Sequence, residues 1–144
     1  MDAHRLANKC LYPPKVMKNL LWAFLALIAV VACSDLTPEE LASLAAKGYY
    51  DHLIHGEYEQ FLEGKDGAEN LSDTYREQLL TSYKQFMAQQ NQVHHGIREV
   101  RISRATTDTV QHLTSVFLVL CYGDSINEEI VVPMVEQGRG WRMR

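Results

Sequence analysis

Hydrophobic residues change their spacing along the chain twice, at Cys33 and at Gly96. Residues 20–32 form an unbroken apolar run. The segment after Cys33 repeats apolar residues every three or four positions, as on one face of a helix. After Gly96 come short runs rich in β-branched residues, separated by turn residues, which is typical of antiparallel strands. The spacing therefore predicts an N-terminal apolar segment, a helical half and a strand half.

The first predicted helix has clear start and stop signals. Thr37 and Glu40 fit a capping box, and Pro38 occupies the first helical position. Gly56 supplies a C-terminal stop. A helix is therefore predicted over residues 38–55.

Two further helical segments are predicted. The shorter covers residues 57–62. The longer begins at residue 72 or 74, where Thr74 and Glu77 fit a second capping box, and it runs to about residue 90. His94 is then expected in a loop before the first strand.

Four strands are predicted, over residues 97–105, 110–122, 126–136 and 141–144. Thr107 and Asp108 are placed in the first turn. Residues 116–121 are apolar on both faces, which favours a central strand, whereas Pro133 should lie at a bulge or an edge. Helices followed by consecutive strands predict an α+β domain. Its N-terminal helices pack on a curved antiparallel sheet of about four strands.

The apolar run at residues 20–32 has the length of a secretory signal. It holds thirteen residues and follows Lys15 and Lys18, whereas crossing ~30 Å of hydrocarbon takes about 20 helical residues. A buried core helix is the alternative, but the run has no polar face. Residues 1–32 are therefore predicted to be a signal peptide, and Met17, which begins a segment of conventional signal length, is favoured as the translation start.

The end of this run, Val30-Val31-Ala32-Cys33, resembles the lipobox of bacterial lipoproteins. The resemblance implies that the Cys33 thiol receives a diacylglyceryl group, that the signal is cleaved just before it, and that the new amino terminus is acylated. Two or more acyl chains anchor a protein stably to a membrane. Ser34 replaces the aspartate that retains many such proteins in the inner membrane, so the outer membrane of a bacterial cell envelope is favoured. Residues 33–36 are then a lipidated tether and residues 37–144 the domain.

The net charge bears on possible binding partners, and the number of cysteines bears on possible disulfides. The chain has 14 Lys and Arg against 18 Asp and Glu, a formal charge of −4, and removal of residues 1–32 leaves −7. Nucleic-acid binding is dominated by neutralisation of phosphates, and a negative net charge does not favour it, so no nucleic-acid partner is expected. Cys121 is the one cysteine left once Cys33 is lipidated. The domain is therefore expected to fold without a disulfide, a metal or another cofactor.

Three stretches of the domain are similar to small bacterial cell-envelope lipoproteins with the cystatin-like, or nuclear transport factor 2-like, fold: AKGYYDHLIHGEY (46–58), VVPMV (131–135) and GWRM (140–143). The similarity spans nearly all of residues 37–144 and implies that fold. It implies no catalytic residues, because the function of these lipoproteins is largely unknown. Other families with this fold include isomerases, dehydratases and binding modules, so the fold alone does not select a function.

Two groups of side chains have the chemistry of functional sites. His52, His55 and Glu59 would share a face suited to a metal ion if one helix continued through them, but Gly56 is expected to end that helix first. Cys121 could be a nucleophile, but it lies in the most apolar strand, so burial is expected. No catalytic, cofactor-binding or metal-binding residue is therefore assigned.

The space between the helices and the sheet is the candidate binding site. Its predicted lining is Tyr49, His52, Tyr83 and Trp141. An isomerase-like site would need an inward carboxylate, and none is evident, since Glu128 lies near the start of a strand. We therefore expect non-catalytic binding of a small apolar ligand or of a partner envelope protein. The alternative is an isomerase- or dehydratase-like enzyme that uses the same pocket.

Overall fold

The computed structural model describes residues 35–138 and 140–144. The predicted signal peptide, Cys33 and Ser34 lie outside these residues. The described chain forms α1 (Pro38–Ile54), α2 (Tyr58–Glu63), a 3₁₀ turn (Ala68–Asn70), α3 (Asp73–His94), β1 (Ile97–Asp108), β2 (Leu113–Tyr122), β3 (Asn127–Gln137) and β4 (Gly140–Met143). None of the helices in this part of the chain combines the length and the apolar character needed to cross a membrane.

Helix α1 begins as predicted. The Thr37 hydroxyl accepts a hydrogen bond from the Glu40 N–H at 3.2 Å, and the Thr37 N–H donates to a Glu40 carboxylate oxygen at 2.7 Å. Both halves of the capping box are therefore present. The helix ends at Ile54, and Gly56 turns the chain with a φ of +79°, which is open to glycine without strain.

Helix α3 begins at the first of its two predicted starts and ends later than predicted. Its N-cap is Ser72, whose hydroxyl accepts a hydrogen bond from the Tyr75 N–H at 3.4 Å. The predicted cap at Thr74 is wrong, because Thr74 already lies inside the first turn. The helix continues to His94, because no glycine or proline interrupts it before Gly96, where φ is +82°. His94 is therefore the last helical residue and does not lie in a loop.

The strands form one antiparallel sheet in the order β1-β2-β3-β4, so β2 is paired on both sides as predicted. Thr107 and Asp108, predicted in a turn, continue the pairing of β1 with β2. The turn follows at residues 109–112. There the Asp108 carboxylate accepts hydrogen bonds from the backbone N–H groups of Val110 at 2.8 Å and Gln111 at 3.1 Å. These bonds stabilise the turn, which lies directly after the predicted position.

Pro133 occupies one of its two predicted environments. It pairs with Ser115 of β2 without a bulge. On its other side, the ladder between β3 and β4 ends at the neighbouring pair of Met134 and Met143. Pro133 therefore lies just beyond the last residue pair of β3 and β4, so its missing N–H removes no hydrogen bond from that ladder.

The core lies between α1 and the inner face of the sheet. Alternate residues of β2 point towards the helices, and Val116 and Leu118 are fully buried. Ala42 and Ala46 of α1 are also fully buried, and their small side chains let the helix lie close to β1 and β2. Among the residues of α3, Met87 is the buried one. Space therefore remains between much of α3 and the sheet.

Candidate functional site

A cavity of about 500 Å³ lies between the helices and the inner face of the sheet. It occupies the region in which the sequence predicted a binding site. Its wall combines aromatic side chains from the helices with polar side chains from α3, β2 and β3. The lining residues are Tyr50, Leu53, Phe61, Lys65, Tyr83, Phe86, Gln90, His94, Leu120, Tyr122, Glu128 and Ile130.

Three rings form an aromatic cluster on the helical side: Tyr50, Phe61 and Tyr83. The Phe61 ring meets Tyr50 edge to face, with centroids 5.4 Å apart, and meets Tyr83 in the same way at 4.9 Å. The Lys65 ammonium lies 5.9 Å from the centre of the Phe61 ring. Such edge-on contacts orient aromatic rings specifically, so the cluster provides a shaped apolar wall.

Both tyrosines of the aromatic cluster remain protonated at neutral pH. Burial raises the pKa of the Tyr50 hydroxyl and is also the main cause of the raised pKa of Tyr83. Within the described part of the chain, the buried Tyr83 hydroxyl oxygen has no hydrogen-bond partner. A buried unpaired hydroxyl is costly, so this group is a candidate for contact with a bound polar atom.

A polar cluster is made of His94, Tyr122 and Glu128, which line the cavity, and of Asp124, which pairs with His94. The Tyr122 hydroxyl donates a hydrogen bond to Glu128 Oε2 at 2.7 Å. Burial and this bond raise the pKa of Tyr122 to about 12. The phenol therefore stays a donor, and Glu128 keeps its remaining lone pairs for other partners.

His94 joins the same cluster through Asp124. Its Nδ1 lies 2.7 Å from Asp124 Oδ2, and its ring centre lies 4.8 Å from that of Tyr122. The hydrogen bond from His94 is the main cause of the lowered pKa of Asp124. An ionised carboxylate can only accept, so Nδ1 carries the proton that forms this bond. When the imidazole is neutral, its Nε2 is then the nitrogen that can accept a proton.

The structure separates the four residues predicted to line the pocket. Tyr83 lies in the wall. The Tyr49 hydroxyl instead donates to the Trp141 carbonyl oxygen at 2.8 Å and accepts from Arg142 at 2.6 Å, away from the cavity lining. The His52 side chain is 41% exposed and pairs with Glu57.

The cause of this difference is the rotation of α1. Tyr50 and Leu53 face the cavity. Their neighbours Tyr49 and His52 lie about 100° away around a helix with 3.6 residues per turn. Trp141 packs against the core from β4 without joining the lining.

The expectation that no carboxylate points inward is wrong. Glu128 pairs with the inward-facing Leu120, so its side chain lies on the cavity side of β3. Glu129 points to the outer face, where it binds Arg104 at 3.0 Å. Counting back by twos from the apolar residue Ile130 would have placed Glu128 inward.

The expected burial of Cys121 is also wrong. Cys121 is half-buried on the outer face of β2, where the Arg101 Nε donates to its sulfur at 3.0 Å. The residue is adjacent to Leu120 and Tyr122 along the strand, but these point to the opposite face. Among residues 35–138 and 140–144, no group of three His, Cys, Asp or Glu side chains is arranged to hold a metal ion.

A comparison with solved structures identifies the fold. The chain matches a protein from Campylobacter jejuni, provisionally named an NTF2-like transpeptidase, with 16% sequence identity and a TM-score of 0.55. The match covers 68% of this chain and 92% of that chain. The predicted NTF2-like, or cystatin-like, fold is therefore confirmed, and an identity this low indicates the fold alone. No protein-family model matches the chain, and no curated protein gives a significant match.

Proposed function

We propose that this chain is a lipid-anchored protein of the bacterial cell envelope, and that its cavity binds a small amphipathic ligand without transforming it. The observation that carries the binding proposal is the cavity of about 500 Å³ with its aromatic cluster and its polar cluster. Ligand sites in proteins commonly combine an apolar wall with a few placed polar groups. Lipid anchoring rests on the apolar run and on Cys33.

The polar cluster favours a ligand with a hydrogen-bond donor. Glu128 accepts one bond from Tyr122 and can accept more, and Asp124 keeps the His94 ring in place. Among the described lining residues Glu128 is the one carboxylate, whereas the Lys65 ammonium lies against the Phe61 ring. A hydroxyl or amine group would therefore be accepted beside Glu128, and an anion would be disfavoured there. The apolar body of such a ligand would lie against Phe61 and Tyr83.

Native mass spectrometry of the protein purified from its own membranes tests this function. We expect a bound small molecule, with lower occupancy in Glu128→Gln, because the substitution removes the accepting charge. Glu129→Gln is the matched control, since Glu129 is the next residue and points to the outer face. Equal occupancy in both variants, or no adduct in the wild type, would contradict the proposal.

Proton-transfer catalysis is the second candidate, and the inward carboxylate favours it. Glu128 or His94 could serve as the base, and Tyr122, whose hydroxyl lies 2.7 Å from Glu128 Oε2, as the donor beside it. The test is deuterium incorporation from D₂O next to the carbonyl group of cyclic and linear ketones, followed by NMR. Incorporation that Glu128→Gln removes and Glu129→Gln preserves would replace the binding-only function with an isomerase-like one.

Acyl transfer, which the name of the Campylobacter jejuni protein suggests for that protein, is less well supported for this chain. Such a reaction commonly uses a serine, threonine or cysteine nucleophile. The described residues that line the cavity include none of these. Cys121 lies between the lining residues Leu120 and Tyr122 in the sequence, but its side chain is on the other face of the sheet.

A further inference from the structure

We propose that a second groove, between the start of α1 and β1, rests on the surface of a zwitterionic lipid bilayer. The proposal depends on the lipid anchor at Cys33 proposed above. The groove has a volume of about 380 Å³ and is separate from the cavity. Its lining residues are Leu36, Glu39, Glu40, Ser43, Leu44, Ile102, Arg104 and Ala105.

The groove collects exposed apolar side chains in one place. Leu36 is 50% exposed, Leu44 is 53% exposed and Ile102 is 38% exposed. Leu41, one turn before Leu44 on α1, is 43% exposed. Single exposed leucines are ordinary, but a contiguous apolar surface marks a place that another apolar surface covers.

The position of the groove along the chain identifies that surface. Leu36 lines the groove and stands three residues after Cys33. Three residues span at most about 10 Å. A lipid on Cys33 would therefore hold this side of the domain against the bilayer, where the exposed leucines can enter the interface.

The charges around the groove select the type of lipid. Glu39 and Glu40 lie in its lining, and the one basic side chain among the described lining residues, Arg104, is paired with Glu129 at 3.0 Å. An acidic rim is repelled by anionic headgroups, so the groove should prefer a zwitterionic surface.

The test uses the full lipidated protein reconstituted in phosphatidylcholine vesicles. A tryptophan is introduced by Leu44→Trp in the groove or by Val131→Trp on the outer face of the sheet. These two positions are matched, at 53% and 54% exposure, and both variants retain Trp141. We expect lipids brominated at shallow acyl positions to quench the emission of the Leu44→Trp variant at least twofold more than that of the Val131→Trp variant. Replacing a third of the lipid with phosphatidylglycerol at low salt should reduce this difference.

Other outcomes would overturn the proposal. Equal quenching of the two variants would mean that the groove does not meet the bilayer. A blue-shifted Leu44→Trp emission without quenching would mean that the groove holds the protein's own acyl chain or a second copy. Vesicle flotation and intact mass report the anchor separately. Loss of flotation together with an unmodified Cys33 would refute the anchor itself, and the groove proposal with it.

Discussion

His94 and Asp124 connect the end of α3 to the turn between β2 and β3 through both side chain and backbone. The Nδ1 atom of His94 donates to the Asp124 carboxylate at 2.7 Å, and the Asp124 N–H donates to the His94 carbonyl oxygen at 3.1 Å. The helix end carries partial negative charge on its free carbonyl groups, and this turn supplies a donor to one of them. The connection positions the polar cluster at the cavity.

The stability of the protein should depend on pH through Asp124. Its pKa is lowered from the ordinary 3.8, chiefly by the His94 hydrogen bond. A carboxyl group whose pKa is lowered by folding stabilises the protein at pH values above its pKa in the unfolded chain. This contribution is lost as the pH falls through its pKa in the folded protein. Asp124→Asn should therefore lower the thermal unfolding midpoint at pH 7 and have a smaller effect below pH 3.8. Glu63→Gln, an exposed carboxylate at the end of α2, is the control. A pH-independent effect of Asp124→Asn would contradict the linkage.

Tyr122 should ionise unusually late. Its pKa is raised to about 12 by burial and by the bond to Glu128. The raised pKa contributes stability below the ordinary value of 10.0, and this is lost as pH rises towards 12. Ultraviolet titration of the wild type minus Tyr122→Phe should show one phenol with a midpoint near 12. A midpoint near 10.0 would mean that Tyr122 is open to water.

The two predicted caps should behave differently on substitution. Thr37→Ala removes a hydroxyl that accepts the Glu40 N–H, so it should cost about 1 kcal/mol. For a domain of this size that loss lowers the melting temperature by roughly 4–8 °C. Thr74→Ala is the matched control and should have little effect, because Ser72 caps α3. Circular dichroism of the two variants measures both midpoints, and equal losses would contradict this assignment.

Cys33 should carry the lipid. Intact mass of the membrane fraction should show acyl chains on a protein that begins at Cys33. Cys33→Ser should release the protein from the membrane, since the anchor requires the thiol. Cys10→Ser is the control, because Cys10 lies in the predicted signal peptide and should leave anchoring unchanged. A wild-type protein that is soluble and unmodified would be decisive against lipidation.

Residues 34–144 should fold alone without a disulfide or a metal. The one cysteine in this segment, Cys121, has no other cysteine with which to form an intramolecular bridge. Two residues of the hypothetical metal site pair with other side chains: His52 pairs with Glu57, and Glu59 pairs with Arg76. The unfolding midpoint should therefore not respond to reductant or chelator. A drop of many degrees with chelator would restore the metal hypothesis.

Several features of this protein could be predicted because their causes lie within a few residues. The Thr37 capping box, the stop at Gly56 and the continuous apolar run of β2 each depend on neighbours along the chain. The order of helices and strands then restricted the domain to an α+β arrangement. The same local signals left Ser72 and Thr74 as alternative starts of α3, because both are good capping residues.

The site itself was decided by tertiary structure. Which face of α1 meets the cavity depends on how the helix is rotated against the sheet, and that rotation replaced Tyr49 and His52 with Tyr50 and Leu53. Likewise, the pairing of Leu120 with Glu128 brought a carboxylate inward. Strand register and helix rotation are determined by packing between distant segments, and a shift of one residue reverses the face of a strand. Local spacing therefore predicted the elements, whereas only their packing determined which side chains meet.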